Sequence, residues 1–225
     1  IKGEKGSTVE LEIIRNNETI KKTVERRNVE IKDSTSRVID GNIGYIGLST
    51  FDEGCAKNIE SYLEEFKGQN INSVIIDLRN NTGGIVTEAI DFAELFVKKG
   101  DVIMRSYNKT DKETVYKSSS KKTVDMKVVL LVNEYSASAT EIVTAALKDN
   151  NIATVVGTRT YGKGVMQEVL PMFNGTSALK VTVEEFKTPN GDKINKVGIT
   201  PDIEVEDNLE TDEDEQLQKA VEILK

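Results

Sequence analysis

The chain has 225 residues, enough to bury a substantial core in one large domain or in one domain and a fragment. Its formal net charge of -8 argues against a nucleic-acid partner, whose phosphates are neutralised by an excess of basic side chains. It has one cysteine and no histidine, which excludes an intrachain disulfide, the Ser-His-Asp triad, the Cys-His pair and nearly every zinc site. Acid-base chemistry must therefore use lysine, carboxylate or tyrosine side chains.

The start of the chain predicts a hairpin. Residues 8–14 (TVELEII) and 19–26 (TIKKTVER) read as two strands joined by a turn at residues 15–18. A two-stranded hairpin is marginally stable alone, so we expect this segment to belong to something larger. The pattern breaks around residues 28–35, where a second unit is predicted to begin.

Strands and helices alternate through the rest of the chain. Apolar runs predict strands and amphipathic runs predict helices. The predicted strands are 43–49, 73–79, 127–133, 153–157 and 179–186, and the predicted helices are 54–66, 86–97, 138–149 and 215–225. Residues 102–123 predict a polar hairpin with a mobile tip at SSSKK (118–122). Repeated strand–helix units with uniformly apolar strands indicate an α/β core with helices packed on the sheet.

The sequence GTRTYGKGVMQ resembles a P-loop, G-x-x-x-x-G-K-[ST], because Gly157, Gly162 and Lys163 are in register. Gly164 stands where the P-loop places a hydroxyl for magnesium, and residues 165–171 (VMQEVLP) predict a strand instead of a phosphate-capping helix. From this motif alone, a glycine-lined turn with a solvated lysine is favoured over a nucleotide site. A third interpretation takes Lys163 as a general base, which requires a nucleophile.

Two serines, Ser136 and Ser138, follow the predicted strand at 127–133 in the sequence NEYSASATEI. Buried strands of α/β proteins commonly present functional residues at their carboxyl ends. Ser138 and Glu141 also fit S-x-x-E, the helix capping box, and from the sequence alone capping is favoured over catalysis. The two roles are compatible, because a helix start offers free amides that can stabilise an oxyanion.

A glycine-rich loop follows another predicted buried strand, in IIDLRNNTGG. Gly83 and Gly84 allow backbone amides to approach a ligand without steric cost. The loop is therefore either a tight turn or one half of an oxyanion hole.

Three segments together resemble the carboxyl-terminal processing (tail-specific) serine proteases: IIDLRNNTGG, NEYSASATEIVTAALKDN and VVGTRTYGKGVMQ. The late segment TPNGDKINKVGITPDIEV is also similar to that family. The resemblance implies an α/β, crotonase/Clp-protease-like core of strand–helix units. It also implies a serine endopeptidase whose serine and lysine form a dyad without histidine.

Matched motif to motif, the resemblance places the nucleophile at Ser138 and the base at Lys163, with Gln167 orienting the lysine amine. The implied reaction is acyl transfer to the serine followed by hydrolysis, with no metal and no other cofactor. A lysine must be uncharged to accept a proton, and burial favours the uncharged amine. We therefore expect Lys163 to point inward.

The resemblance also implies the supporting residues. The oxyanion amides would come from Ala139 and from the glycine loop, with Gly83 favoured over its neighbour Gly84. Glu141 and Asp149 fall on positions that the family usually keeps and are expected to support the site.

Two residues depart from the family pattern. Thr82 stands where a proline is common, and Thr140 replaces a serine. Neither change removes a proposed catalytic group, but Thr82 is expected to loosen the oxyanion loop.

Domain organisation and partners follow from the same resemblance. Residues 1–32 look like the C-terminal remnant of a PDZ domain, and residues 33–225 look like the protease core. The expected substrates are proteins with apolar, unstructured carboxyl-terminal tails, and the expected location is extracytoplasmic, in a membrane-anchored or secreted protein. Homo-oligomerisation is left open, no nucleic-acid partner is expected, and this chain carries no signal peptide or membrane-spanning run of its own.

Three rival functions remain open. The first is a non-catalytic ligand-binding module on the same scaffold, with Ser138 only capping a helix. The second is an acyl-thioester enzyme, since related folds stabilise oxyanions for other acyl chemistry. The third is the P-loop nucleoside triphosphatase.

Overall fold

The fold was analysed in a computed structural model that describes residues 1–27, 33–173, 175–207 and 213–225. The chain divides into two compact units, Ile1–Lys32 and Asp33–Lys225. No helix of the described residues is long and apolar enough to cross a membrane.

The first unit is an antiparallel hairpin of strands β1 (Thr8–Arg15) and β2 (Glu18–Glu25), which confirms the predicted strand pair. Asn16 and Asn17 form its two-residue turn with φ angles of 52° and 62°. Both central residues of such a tight hairpin turn need positive φ, which asparagine tolerates. No side chain of residues 1–27 is buried, so the described part of this unit encloses no hydrophobic core.

The described residues of the second unit form ten strands and four helices, with helices packed on both faces of a sheet. In chain order its elements are β3 (Ser34–Ile39), β4 (Ile43–Leu48), α1 (Cys55–Gly68), β5 (Ser73–Asp77), α2 (Val86–Glu94), β6 (Val102–Asn108), β7 (Glu113–Lys117), β8 (Lys127–Val132), α3 (Ala139–Asp149), β9 (Ala153–Gly157), β10 (Val165–Pro171), β11 (Ala178–Lys187), β12 (Ile203–Glu204) and α4 (Glu215–Leu224).

The central sheet has the strand order β12-β9-β8-β5-β4-β3. Its edge strand β3 is antiparallel to β4, and the other neighbours pair in parallel. The carboxyl ends of β4, β5, β8 and β9 therefore lie along one edge, where ligand sites of parallel sheets form. We call this edge the carboxyl edge.

Both faces of the central sheet are covered. Successive strand residues point to opposite faces, so Ile76 packs into the cluster formed with α1, α2 and α3, whereas Ile75 packs into the cluster formed with α4. Strands β5 and β8 are buried on both faces, which explains their uninterrupted apolar sequences. The predicted α/β core is thus confirmed.

A second sheet is antiparallel, with the order β10-β11-β6-β7. Strand β10 confirms that a strand, and not a helix, follows the glycine-rich segment at 157–164. The hairpin predicted at 102–123 is confirmed as β6 and β7, but the predicted mobile SSSKK tip is wrong. The turn lies at residues 109–112, and Ser118 is buried with its hydroxyl donating to the Val97 carbonyl at 2.8 Å.

Strands β3 and β12 were not predicted. β3 is a short edge strand with mostly exposed side chains, and β12 has two residues. Neither carries the apolar pattern that identifies a strand, because each is held by pairing with a neighbour more than by burial of its own side chains.

Candidate active site

Loops that follow four parallel strands meet at the carboxyl edge. Backbone hydrogen bonds join the loop after β5 to the loop after β4 and to the loop after β8. Another joins the loop after β8 to the loop after β9. These bonds run from Phe51 N to Gly83 O (3.1 Å), from Ala137 N to Asn81 O (3.0 Å) and from Tyr161 N to Ser136 O (3.0 Å).

Ser138 lies where the loop after β8 turns into α3. Its φ of 60° and ψ of -116° fall outside the regions that residues with side chains normally adopt. Such strain costs on the order of 1–3 kcal/mol. The turn resembles the sharp strand-to-helix turn that presents the serine nucleophile of α/β-hydrolases. The Ser138 side chain is half-buried, and the predicted capping box with Glu141 is present.

Glu141 is a fully buried carboxylate in the first turn of α3. Its Oε2 accepts from the backbone N–H groups of Ser138 (2.9 Å) and Lys163 (2.8 Å). Its Oε1 accepts from the Thr160 hydroxyl (2.6 Å) and the Gly162 N–H (2.8 Å). A carboxylate offers about four lone-pair sites, so all of its acceptor capacity is used and the buried charge is compensated.

This shared carboxylate brings Ser138 and Lys163 together. Both backbone nitrogens are within 2.9 Å of Glu141 Oε2, so they lie at most about 6 Å apart, two hydrogen-bond lengths. The Lys163 side chain is half-buried. In the described part of the chain, no hydrogen bond joins its amine to the Ser138 hydroxyl.

The glycine loop lies against the start of α3. A Cβ on Gly83 would stand 2.6 Å from Ala137 O and 2.9 Å from Ala139 N, and the φ of Gly83 is 99°, so only glycine fits. The Gly83 N–H donates to Asn81 Oδ1 at 2.9 Å. Among the described residues, by contrast, nothing accepts a hydrogen bond from the N–H groups of Gly84, which is exposed, and Ala139, which is buried.

Asn81 organises this loop, and sequence reasoning missed it. The residue is fully buried, and its Nδ2 donates to the Leu48 carbonyl at 2.9 Å. Its backbone carbonyl accepts from Ala137 N–H (3.0 Å) and from the Thr140 hydroxyl (2.9 Å). The Thr140 hydroxyl therefore links α3 to the glycine loop by a hydrogen bond. The available signal was the pair of asparagines, Asn80 and Asn81, in the loop that follows the buried strand β5.

Two predicted site residues, Gln167 as the group that orients the lysine amine and Asp149 as a support, form hydrogen bonds with partners other than Ser138 and Lys163. Gln167 is exposed on β10, and its Nε2 contacts Thr182 Oγ1 at 3.4 Å. Asp149 ends α3, at the opposite end of the helix from Ser138, and its Oδ2 accepts from the Asn190 N–H at 3.0 Å. Of the two predicted supports, Glu141 is the one that contacts the backbones of the proposed nucleophile and base.

An ion-pair cluster anchors the loop after β5 from the other side. Arg79 pairs with Asp77 (2.6 Å) and with Asp214 (2.8 Å), which begins α4. Burial alone would lower the pKa of Arg79, but its hydrogen bonds to the two carboxylates raise the pKa well above its ordinary value. Burial and the nearby Asp77 raise the pKa of Tyr45, whose hydroxyl donates to Asp77, to about 12. Arg79 and Tyr45 therefore keep their protons at neutral pH, and the cluster is a fixed support.

The glycines of the P-loop look-alike have packing roles. A Cβ on Gly162 would lie 2.9 Å from Gly198 N, and one on Gly164 would lie 2.4 Å from Asn195 N. These glycines let the segment pass close to residues 194–198. In the described residues no group of three or more acidic, histidine or cysteine side chains could hold a metal ion.

The family model described as peptidase family S41 matches residues 42–205, which include all of these loops. The chain belongs to peptidase family S41. The resemblance found in the sequence is therefore confirmed.

Curated relatives of this S41 chain carry processing-protease names. It is 35% identical over 213 residues to a probable CtpA-like serine protease of Staphylococcus epidermidis, a match that covers 91% of this chain and 42% of the relative. It is 34% identical over 207 residues to the carboxy-terminal processing protease CtpA of Bacillus subtilis, covering 92% and 44% respectively. The chain thus spans less than half the length of these relatives.

Solved structures share the fold. The photosystem II D1 C-terminal processing protease matches with a TM-score of 0.73 and 27% identity, covering 99% of this chain and 61% of that protein. A putative peptidase from Parabacteroides merdae matches with a TM-score of 0.69 at 23% identity, over 85% of this chain and 64% of the other, which supports the fold alone. These matches show that the α/β fold of the chain is shared with processing proteases of known structure.

Proposed function

We propose that this S41 chain is the core of a carboxyl-terminal processing serine protease in which Ser138 is the nucleophile and Lys163 is the general base. The observation that carries the proposal is the pair of hydrogen bonds from the Ser138 and Lys163 amides to one oxygen of Glu141. A lysine side chain is long enough to span the resulting separation. The names of the relatives support the serine-protease class.

The proposed reaction begins when the Ser138 hydroxyl attacks the peptide carbonyl carbon and Lys163 Nζ takes the hydroxyl proton. The negative charge that develops on the carbonyl oxygen is stabilised by the free N–H groups of Ala139 and Gly84. Lys163 then gives its proton to the leaving amine, and an acyl-enzyme remains on the serine oxygen. Lys163 takes a proton from water, which attacks the ester carbonyl. The bond to the serine oxygen then breaks, the second product leaves, and Lys163 returns the proton to the Ser138 oxygen. No step of this proposed reaction needs a metal or another cofactor.

The half-buried position of Lys163 is compatible with this role. The amine must be uncharged when it takes the hydroxyl proton, and the proposed cycle returns it to the uncharged form. In the S41 site the Glu141 carboxylate is nearby, but its four acceptor positions are taken by other donors. A rotation of the lysine side chain toward Ser138 would complete the dyad.

Three variants test the assignment, with casein cleavage as the readout. Ser138→Ala and Lys163→Ala should each reduce the rate at least roughly a thousandfold without unfolding the chain. Lys163→Arg keeps the charge but cannot accept a proton, so it should be equally inactive at every pH. Lys180→Ala, an exposed lysine on β11, is the matched control and should keep full activity. Full activity in Lys163→Ala would exclude the assigned base.

Metal and nucleotide dependence provides an independent test. Because no step uses a metal, cleavage should be unchanged by EDTA. Loss of activity in EDTA with recovery in magnesium and ATP would contradict the dyad and revive the P-loop interpretation.

The same proposal extends to substrates and organisation. We propose that the substrates are proteins with apolar, unstructured carboxyl-terminal tails, since the relatives are named for carboxy-terminal processing. We also propose an extracytoplasmic location and assign residues 1–32 to the end of a PDZ domain. The exposed hairpin of β1 and β2, which has no buried side chain, fits a fragment of a larger domain. Cleavage of a reporter with and without an apolar tail would test the substrate class.

A ligand-binding module is the second candidate. It is favoured by the missing hydrogen bond between the Ser138 hydroxyl and the Lys163 amine and by the contact of Gln167 with Thr182. A fluorophosphonate probe distinguishes the two functions, because it labels an activated serine. Labelling that disappears in Ser138→Ala supports the protease, and absence of labelling at pH 9 in a folded sample supports the binding module.

A further inference from the structure

The peptide unit between Gly83 and Gly84 carries one of the two free amides of the proposed oxyanion hole. We propose that Thr50 and Asn81 are positioning residues that hold this peptide with the Gly84 N–H directed at the substrate carbonyl. The inference rests on the proposed function, because it needs an oxyanion to form at Ser138.

The Gly83 carbonyl is held by the loop after β4. It accepts from the Phe51 N–H at 3.1 Å and from the Thr50 hydroxyl at 3.2 Å. In a planar trans peptide the C=O and the following N–H point in opposite directions. Fixing the Gly83 carbonyl toward this loop therefore fixes the Gly84 N–H away from it. Gly84 is exposed, and no acceptor in the described part of the chain takes its N–H.

The preceding peptide is held from the interior. Asn81 Oδ1 accepts from the Gly83 N–H at 2.9 Å, while Asn81 Nδ2 is fixed by the Leu48 carbonyl at 2.9 Å. Because the asparagine is fully buried, water cannot compete for either bond. The Gly83 N–H thus already donates to Asn81. The Gly84 N–H is therefore the donor of this loop that can bind the oxyanion together with the Ala139 N–H.

Glycine makes this control necessary. The two glycines have φ angles of 99° and 151°, and a Gly-Gly peptide can rotate at little cost because neither residue has a Cβ. Rotation would replace the N–H at the oxyanion position with a carbonyl oxygen, which repels the developing charge. Thr50 contributes the one side-chain hydrogen bond that opposes this rotation among the described residues.

The test compares Thr50→Val with Thr50→Ser. Valine keeps the shape of threonine without the hydroxyl, whereas serine keeps the hydroxyl. Thr158→Val is the matched control, because Thr158 also lies at the carboxyl edge, is half-buried, and donates one hydrogen bond of 3.2 Å, to Glu134 instead of the glycine loop. If Thr50→Val does not fold, Thr50→Ala removes the hydroxyl without adding bulk.

The expected result is a fall in kcat of roughly tenfold in Thr50→Val with KM unchanged, less than the loss of a whole oxyanion donor. Affinity for a peptide aldehyde, whose adduct with Ser138 places an oxyanion in the hole, should fall by a similar factor. Affinity of the doubly substituted Thr50→Val, Ser138→Ala chain for an uncleaved peptide should not change. Thr50→Ser should restore kcat, and Thr158→Val should match the wild type.

Two outcomes would overturn the inference in distinguishable ways. Wild-type kcat and aldehyde affinity in Thr50→Val, with Ser138→Ala inactive, would remove the positioning role and leave the proposed protease intact. Cleavage that persists in Ser138→Ala would overturn the proposed function and this inference together. If Thr50→Val and Thr158→Val lose kcat and melting temperature equally, Thr50 contributes to stability and does not position the Gly84 N–H.

Discussion

Ser138 and Lys163 donate their backbone N–H groups to the same oxygen of Glu141, although Lys163 lies 22 positions beyond that glutamate in the chain. The bonds fix the start of α3 and the segment after β9 against each other. Ser138 and Lys163, which lie in two separate loops, are thereby held next to each other by Glu141. That glutamate is buried and has no remaining acceptor site. This arrangement makes the geometry of the site depend on one carboxylate.

The substitution Glu141→Gln should therefore cost both stability and activity. The amide nitrogen of glutamine cannot accept, so two of the four donors lose their partner, at about 1–3 kcal/mol for each buried group left unpaired. We expect the free energy of unfolding in urea to fall by at least about 2 kcal/mol and cleavage to fall strongly. Glu60→Gln, at an exposed position on α1, should change neither. Wild-type stability in Glu141→Gln would show that the carboxylate is dispensable.

Two glycine substitutions separate backbone strain from steric contact. Gly83 and Gly100 have φ angles of 99° and 92°, so alanine at either pays a similar conformational penalty of about 1 kcal/mol. A Cβ at Gly100 meets nothing within 4 Å, whereas one at Gly83 meets Ala137 O at 2.6 Å. Gly83→Ala should abolish cleavage and lower the melting temperature more than Gly100→Ala, which should remain active. Equal effects in the two variants would mean that the glycine loop can move aside.

The ion pair between Arg79 and Asp214 should appear in the pH dependence of stability. Burial alone would raise the pKa of Asp214, but hydrogen bonds from Arg79 and from the Leu217 N–H lower it below its ordinary value. A carboxyl whose pKa is depressed in the folded state stabilises the fold above its unfolded pKa, and this contribution is lost as pH falls through the folded value.

Asp214→Asn tests this contribution, because asparagine can still cap α4 while losing the charge. At pH 7 we expect the variant to be less stable than the wild type by roughly 1 kcal/mol, since the carboxylate is partly exposed and screened. Urea unfolding at a series of pH values from 7 downward measures the difference, which should shrink as pH falls through the lowered folded pKa of Asp214, because the wild-type carboxyl then also becomes uncharged. A difference that grows on acidification would contradict the sign.

Cys55 should be chemically inert in the folded protein. Burial, together with the neighbouring Glu88 carboxylate, raises the pKa of its thiol to about 12. The thiolate is the reactive form, and an exposed thiol has a pKa near ~8.5. At pH 8 we expect reaction with a disulfide reagent to be slower than that of a free thiol by at least about a hundredfold, and to become rapid in guanidinium. Fast labelling of the native chain would mean that the start of α1 opens readily.

Most of the fold could be predicted from local patterns. Strand β9 and the strand after Lys163 were read from the sequence because apolar periodicity and glycine placement are properties of neighbouring residues. The absence of histidine and the motifs around Ser138 and Lys163 likewise limited the side chains that could carry out acid-base catalysis. Strand β3 escaped prediction because its pairing with β4, and not its side chains, defines it.

The amino-acid sequence by itself thus determined the strand–helix order, the family and the residue types that remain for catalysis. Tertiary structure alone decided which groups meet: Glu141 between two loops, Asn81 on the Gly83 amide, Thr50 on the Gly83 carbonyl, and Gln167 turned to Thr182. The physical reason is the distance along the chain over which each interaction acts. Periodicity and capping act within a few residues, whereas a hydrogen bond between loops exists only after the sheet has aligned the carboxyl ends of its strands.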